Sequence, residues 1–200
     1  MSRMVSLGHP VLRASAATVP EAEIGGPRVQ AVVSALREEL AAQPGVGLAA
    51  PQIGESLAVA IVQDRAVSAG KGMYGPSNFD RLERVPLPET VLINPRIVTQ
   101  SDEQVLAFES CLSAAGLVGV VPRARWVRVE YNDERGERHS AEFQGFPARI
   151  VQHEIDHLHG VLCIDRMLLR TAMSKEQFYA DGWPDRAAEE AVAVYGAARD

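Results

Sequence analysis

The chain has 200 residues, 46% of them apolar and 23% charged, with 20 Lys plus Arg against 26 Asp plus Glu and a formal net charge of −6. That length suits one well-cored domain over residues 1–200, and 2 Cys are too few for a disulfide scaffold or an all-cysteine zinc site. The acidic balance argues against nucleic-acid or membrane-surface binding by bulk charge. No run approaches the roughly 20 apolar residues of a membrane span, and the first ten residues lack the apolar core of a secretory signal. A cytoplasmic location with reduced thiols is therefore expected.

Residues 5–20 are mixed and are expected to wrap the surface. Pro27 suits a first helical position. Val29, Val32, Val33, Leu36 and Leu40 then recur at helical spacing until Pro44-Gly45 stops the pattern. Residues 57–62 read as a short buried strand. Residues 63–88 hold Gly70, Gly72, Gly75, Pro76, Pro86 and Pro88 and predict a long loop. Residues 91–93 and 96–99 read as strands interrupted by Asn94-Pro95, and 117–121 as a further apolar run. Residues 126–131 and 138–143 alternate around a turn at 132–136, which predicts a hairpin. Pro147 opens a helix running to about His159, stopped by Gly160, and a last helix is predicted over 185–198. Without βαβ alternation, this order predicts an α+β fold, with antiparallel sheets packed around a central helix.

That central helix carries His153 and His157. Residues four apart share one helix face, so both imidazoles can reach one metal ion. Glu154, next to the first histidine, can point at a metal-bound water and take its proton. Ile150, Val151, Ile155 and Leu158 mark the helix as buried, where two idle histidines would be costly. An open catalytic site wants a third ligand, and three routes are available. A downstream carboxylate is one (Glu176, Glu189 or Glu190). Cys163, three residues beyond Gly160 in a metzincin-like spacing, is the second, and the distant Cys111 is the third. Cys163 sits in an apolar run that suits a plain buried thiol. Residue types alone leave Cys111 evenly balanced between ligand and structural cysteine.

Three segments, Gly45-Val-Gly-Leu-Ala-Ala-Pro-Gln52, Glu109-Ser-Cys-Leu-Ser113 and Gln152-His-Glu-Ile-Asp-His157, resemble in order the signature motifs of the peptide deformylase family. Gly8-His-Pro-Val-Leu-Arg13 resembles that family's N-terminal segment, so the similarity spans about residues 5–170. The resemblance implies Cys111, His153 and His157 as ligands of one divalent ion, with water in the fourth position. It implies native Fe(II), with Zn(II), Ni(II) or Co(II) accepted. It also implies hydrolysis of the N-formyl group from the formylmethionine that starts new polypeptides. Glu154 would take the proton of the water and pass it to the leaving amine. The Gln52 side-chain amide and the Leu112 N–H would help stabilise the oxyanion. Val46 and Gly47 would pair with the peptide as an added strand, and Phe146 aligns with the pocket for the methionine side chain.

The sequence also departs from the family pattern. Ser110 stands where the second motif usually has Gly, and its Cβ disfavours a positive φ. Ala114-Ala-Gly116 lacks the usual Pro, while residues 120–123, Arg149 and Arg166-Met167 look closer to the mitochondrial-like subgroup. Two other readings stay open: an amidase acting on another N-acylated small molecule, and an inactive module that docks nascent chains. The sequence also leaves open a ribosome contact through Tyr179, Trp183 and the last helix.

Overall fold

The computed structural model of the chain describes residues 3–65, 73–114 and 116–196. Helix α1 (Pro27–Ala42) forms where its periodicity places it, with Pro27 in the first turn behind Gly26. Val29, Val32, Val33, Leu36 and Leu40 are all buried, each worth about 1.5–3 kcal/mol when fully removed from water. The partners of this stripe lie on a sheet, chiefly Leu48, Val59, Ile61, Val91 and Ile93.

Among the described residues eight strands follow: β1 (Gly47–Ala49), β2 (Val59–Asp64), β3 (Leu87–Gln100), β4 (Gln104–Glu109), β5 (Leu117–Ala124), β6 (Trp126–Asn132), β7 (Arg138–Gln144) and β8 (Met173–Ser174). They form a five-stranded sheet in the order β1-β2-β3-β6-β7 and a three-stranded sheet in the order β4-β5-β8, with every pairing antiparallel. Helix α2 (Gly145–Leu158) lies between them, its Ile150, Val151 and Ile155 packed with Leu92, Val127 and Val129 of one sheet and Phe108, Val118 and Val120 of the other. β2 is apolar from Val59 to Val62 because both its faces are covered there: Val59 and Ile61 meet α1, while Ala60 meets Leu158 and Val62 joins the α2 core. The predicted α+β class and central helix are borne out.

The structure departs from the sequence expectations in particular places. β3 is continuous through Asn94-Pro95, which bends it instead of ending it. Asn94 takes φ 51°, and the register shifts between Ile93 and Arg96, where Pro95 has no N–H to offer. The Asn94 side chain donates to the Val19 carbonyl at 2.8 Å and accepts from its N–H at 2.9 Å, tying down residues expected only to wrap the surface. Leu12 and Val19 of that segment are buried. β1 and β4 were not foreseen. The hairpin pairs as predicted, from Trp126↔Gln144 to Asn132↔Arg138.

α2 starts two residues before Pro147, and Gly160, at φ 73°, follows its end. Short helices α3 (Cys163–Arg166), α4 (Lys175–Ala180) and α5 (Ala188–Ala191) complete the chain. The last predicted helix is thus one turn, followed by a wider π-type turn over Val192–Gly196; positions 197 and 198 lie outside the described residues, as do 66–72 of the predicted loop. Trp183 packs 5.6 Å from Phe108 between ring centres and is 1% exposed, so it belongs to the core and not to a partner surface. Among the described residues, no helix is long and apolar enough to cross a membrane.

Candidate metal centre and its cleft

α2 sets His153 and His157 one turn apart, with ring centres 4.9 Å from each other. Cys111 follows the end of β4, and its Sγ reaches 3.3 Å from His157 Nε2. One ligand atom from each of Cys111, His153 and His157 lies within 4.8 Å of the others. A hydrogen bond from the Cys163 thiol holds Cys111 well below the ordinary thiol range, and bonds from both histidines add to it against the opposing effect of burial. The same contact, with burial, pushes Cys163 up. A thiolate and two imidazoles at this spacing are the donor set of a three-ligand site for Zn(II) or Fe(II). Cys163 lies outside the ligand group, and Glu176, Glu189 and Glu190 are exposed, so neither alternative route to a third ligand is realised.

A buried ionic network stands behind these residues. His153 Nδ1 bonds Glu109 Oε2 at 2.9 Å, which fixes the ring and turns Nε2 toward Cys111. Arg123 forks onto the same carboxylate at 2.9 Å through Nε and Nη2, and Arg149 Nη1 adds a third cationic contact at 2.7 Å. Burial alone would raise the Glu109 carboxyl; the charge of Arg123 and the bond from His153 outweigh it and hold the group well below the usual carboxylate range. Arg123 also contacts Asp156, which Arg166 clamps at 2.6 and 2.7 Å. His157 lacks such support: its Nδ1 is buried with no partner among the described residues.

The centre opens on a cleft of about 410 Å³ lined by Val46, Gly47, Gln52, Cys111, Leu112, Phe146, His153 and Glu154. His157, at 1% exposure, lies behind them. Burial pushes the Glu154 carboxyl up to about 7, against the charges of His153 and His157, and its Oε2 has no hydrogen-bond partner among the described residues. A Cβ on Gly47 would meet Glu154 Cδ and Cγ at 2.8 Å, so only glycine lets β1 pass this close. Gly47→Ala is therefore expected to push Glu154 aside and lower kcat/KM about 10²-fold in a folded protein, as read by steady-state kinetics beside a thermal melt.

The remaining predicted positions fall into the same cleft. Gln52 Oε1 accepts from Ala49 N–H at 2.8 Å, which turns Nε2 toward Cys111 Sγ at 3.6 Å and Ser113 Oγ at 3.4 Å. Leu112 opens the single turn Leu112–Ala114, where the first N–H groups have no partner within the turn. Phe146, in the first turn of α2, meets Tyr74 edge-on at 5.7 Å. Ser110 has no positive φ, so its Cβ sits on ordinary backbone. β1 is an edge strand of its sheet and carries its free edge beside the cleft.

Residues 1–172 match the family model for polypeptide deformylase. The chain belongs to the polypeptide deformylase family. It is 40% identical over 198 residues to peptide deformylase 3 of Streptomyces avermitilis, covering 96% of this chain and 83% of that protein. Identity to peptide deformylase 1 of Streptomyces coelicolor is 38%, covering 96% and 85% of the two chains. The class I type b peptide deformylase from Acinetobacter baumannii, solved with Met-Ala-Ser bound, superposes with a TM-score of 0.72 at 36% identity over 82% of this chain and 96% of that one.

Within this deformylase fold, sequence reasoning brought nine residues to one site and missed their support. Glu109 was visible only as the first letter of a motif. Its partners Arg123 and Arg149 lie 14 and 40 residues away, beyond any local pattern. The available signal was a carboxylate two residues before the candidate thiolate, flanked by the apolar residues of a buried segment.

Proposed function

We propose that the protein hydrolyses N-formylmethionyl peptides to formate and a free amino terminus, with one divalent ion held by Cys111, His153 and His157. The observation that carries this reading is the buried Glu154 Oε2, without a partner among the described residues, in the cleft onto which the three ligands converge. Fe(II) is the proposed native ion, with Zn(II), Ni(II) and Co(II) as substitutes; the bound ion acidifies water and polarises the formyl carbonyl. Glu154 Oε2 accepts the proton of the attacking water and delivers it to the peptide nitrogen as the C–N bond breaks, a role suited to a carboxyl poised near neutrality.

Gln52 Nε2 and the Leu112 N–H donate to the formyl oxygen as it becomes negative. At the free edge of β1, Gly47 offers backbone groups to an extended peptide, which gives affinity with little sequence demand, and Val46 precedes it with its carbonyl tied to Gln63 N–H at 2.7 Å. Phe146 forms an apolar wall for the methionine side chain. The A. baumannii relative's complex with Met-Ala-Ser supports a Met-led peptide in this cleft. Two free, buried cysteines fit a reducing, cytoplasmic setting.

The test is turnover of formyl-Met-Ala-Ser against acetyl-Met-Ala-Ser by anaerobically metal-loaded protein. Hydrolysis of the formyl peptide is expected; preference for the acetyl peptide would turn the reading toward another N-acyl amidase, and no hydrolysis of either toward a binding module. Gln52→Ala is expected to lower kcat about 10²–10³-fold, as loss of one oxyanion donor does, with metal content unchanged.

A further inference from the structure

We infer that Asn78 is a positioning residue for the side-chain pocket, and that the clamp it forms with residues 183–186 sets the preference for a long first side chain over a short one. The inference rests on the deformylase reading of the cleft. Met73 and Tyr74 line that cleft together with Phe146. Tyr74 meets Phe146 edge-on, and its hydroxyl donates to the Phe108 carbonyl. The turn that follows, 75–78, is fastened to one segment more than a hundred residues along the chain. Gly75 N–H donates to the Pro184 carbonyl at 2.9 Å. Asn78 Nδ2 donates to the carbonyls of Pro184 and Arg186 at 2.7 and 3.1 Å, and Ser77 Oγ donates to Asp185 Oδ1 at 2.8 Å. A Cβ on Gly75 would come within 2.5 Å of Asp185 Cγ, so a glycine lets the two segments lie this close.

Both sides of the clamp are anchored. Asn78 is 3% exposed, and its carbonyl accepts from Leu82 N–H at 3.0 Å, while Arg84 N–H donates to the Phe79 carbonyl at 2.9 Å. These bonds carry the chain back to the same pocket ring: the Arg84 guanidinium, forked onto Asp64 at 2.7 and 3.1 Å, lies 4.7 Å from the Phe146 ring centre and 4.9 Å from that of Phe79. On the other side Trp183 packs against Phe108, and the Arg186 guanidinium covers the indole at 3.9 Å. The clamped turn thus has a neighbour of Phe146 on each flank, Tyr74 before it and Arg84 after it. Residues 183–186 lie beyond residue 172, where the family match ends, so this support comes from the C-terminal part of the chain. An apolar pocket separates side chains by about 10–200-fold per methylene, through the contacts its walls keep. A wall held in one place keeps its contacts with a long side chain, and a loosened wall gives them up. A short side chain does not reach the wall and is indifferent to it.

The test measures kcat, KM and metal content of metal-loaded enzyme with formyl-Met-Ala-Ser and formyl-Ala-Ala-Ser, in wild type, Asn78→Ala and the double variant Ser77→Ala/Asp185→Ala. Wild type is expected to favour formyl-Met in kcat/KM by more than about tenfold. Asn78→Ala should lower that ratio about tenfold, chiefly through a higher KM for formyl-Met, with formyl-Ala turnover and metal content unchanged. Calorimetric affinity for the product Met-Ala-Ser should fall by the same factor, and that for Ala-Ala-Ser should hold. The double variant loses only exposed side chains from the rim of the clamp and should lower the ratio about threefold. An unchanged ratio in folded Asn78→Ala overturns the inference, as does an equal loss on both substrates, which would make the clamp merely structural, or a wild type without preference for formyl-Met over formyl-Ala. Should Asn78→Ala fail to fold, the double variant decides, and an unchanged ratio there overturns the inference. Absence of formyl-Met turnover in wild type would instead overturn the deformylase reading.

Discussion

Glu154→Ala is expected to lower kcat about 10³-fold, within the usual range for a general acid–base, while the protein keeps its metal. The carboxylate is outside the group of three ligand atoms, so its removal takes no bond from the ion. What disappears is a cleft carboxyl whose buried Oε2 has no partner among the described residues, a group raised by burial to about 7 and so able both to take and to return a proton. Glu154→Gln, which keeps the shape but not the base, should be nearly as slow. Metal analysis alongside single-turnover kinetics separates the roles: loss of the ion together with activity would make Glu154 a structural group.

Glu109→Ala should be the most destabilising single change at the site. Arg123 and Arg149 are almost fully buried; among the described residues Arg149 has this carboxylate as its ion-pair partner, while Arg123 divides its charge between it and Asp156. Breaking a buried pair by removing one partner costs about 3–5 kcal/mol, because the other charge is left uncompensated. His153 loses its orienting acceptor at the same time, and such supporting partners are typically worth about 10–100-fold in metal affinity. Denaturant unfolding of metal-free protein isolates the first effect from stabilisation by the ion, and a chelator competition reads the second. The Glu109 carboxyl titrates lower in the fold than in the unfolded chain. Its stabilisation is therefore complete above the unfolded carboxylate range and is lost as pH falls toward the folded value; Glu109→Ala should flatten that acid limb. An unchanged midpoint in metal-free Glu109→Ala would show that Arg123 and Arg149 are held by other groups.

The legible parts of this chain are those whose signal is periodic or local. α1 announces itself by Val29, Val32, Val33, Leu36 and Leu40, and the β6–β7 hairpin by alternation around a turn. His153 and His157 are legible because helical spacing alone puts them on one face. The choice of Cys111 over Cys163 was not available from residue types and came from the resemblance of three ordered motifs; the structure adds the geometric reason, since Cys111 lies among the ligand atoms and Cys163 behind it. β1 is hidden because three residues, the first of them Gly47, carry no periodicity. β4 is hidden because its burial runs from exposed Gln104 to buried Glu109 without alternating. The overlong last helix reflects an Ala- and Val-rich stretch with no stop signal before its turn widens at Val192. Arg84 is hidden because its partner Asp64 lies across a long loop and its ring neighbour Phe146 lies on α2, beyond strands β3 to β7, where no local pattern links them.

The most direct measurement is the divalent-metal content per chain of anaerobically prepared wild type, Cys111→Ser and Cys163→Ser, with formyl-Met-Ala-Ser turnover on the same samples. One ion per chain and turnover are expected in wild type and in Cys163→Ser, and loss of both in Cys111→Ser. A Cys111→Ser protein that keeps its ion and its activity, or a Cys163→Ser protein that loses them, would contradict the assignment of Cys111, His153 and His157 as the centre.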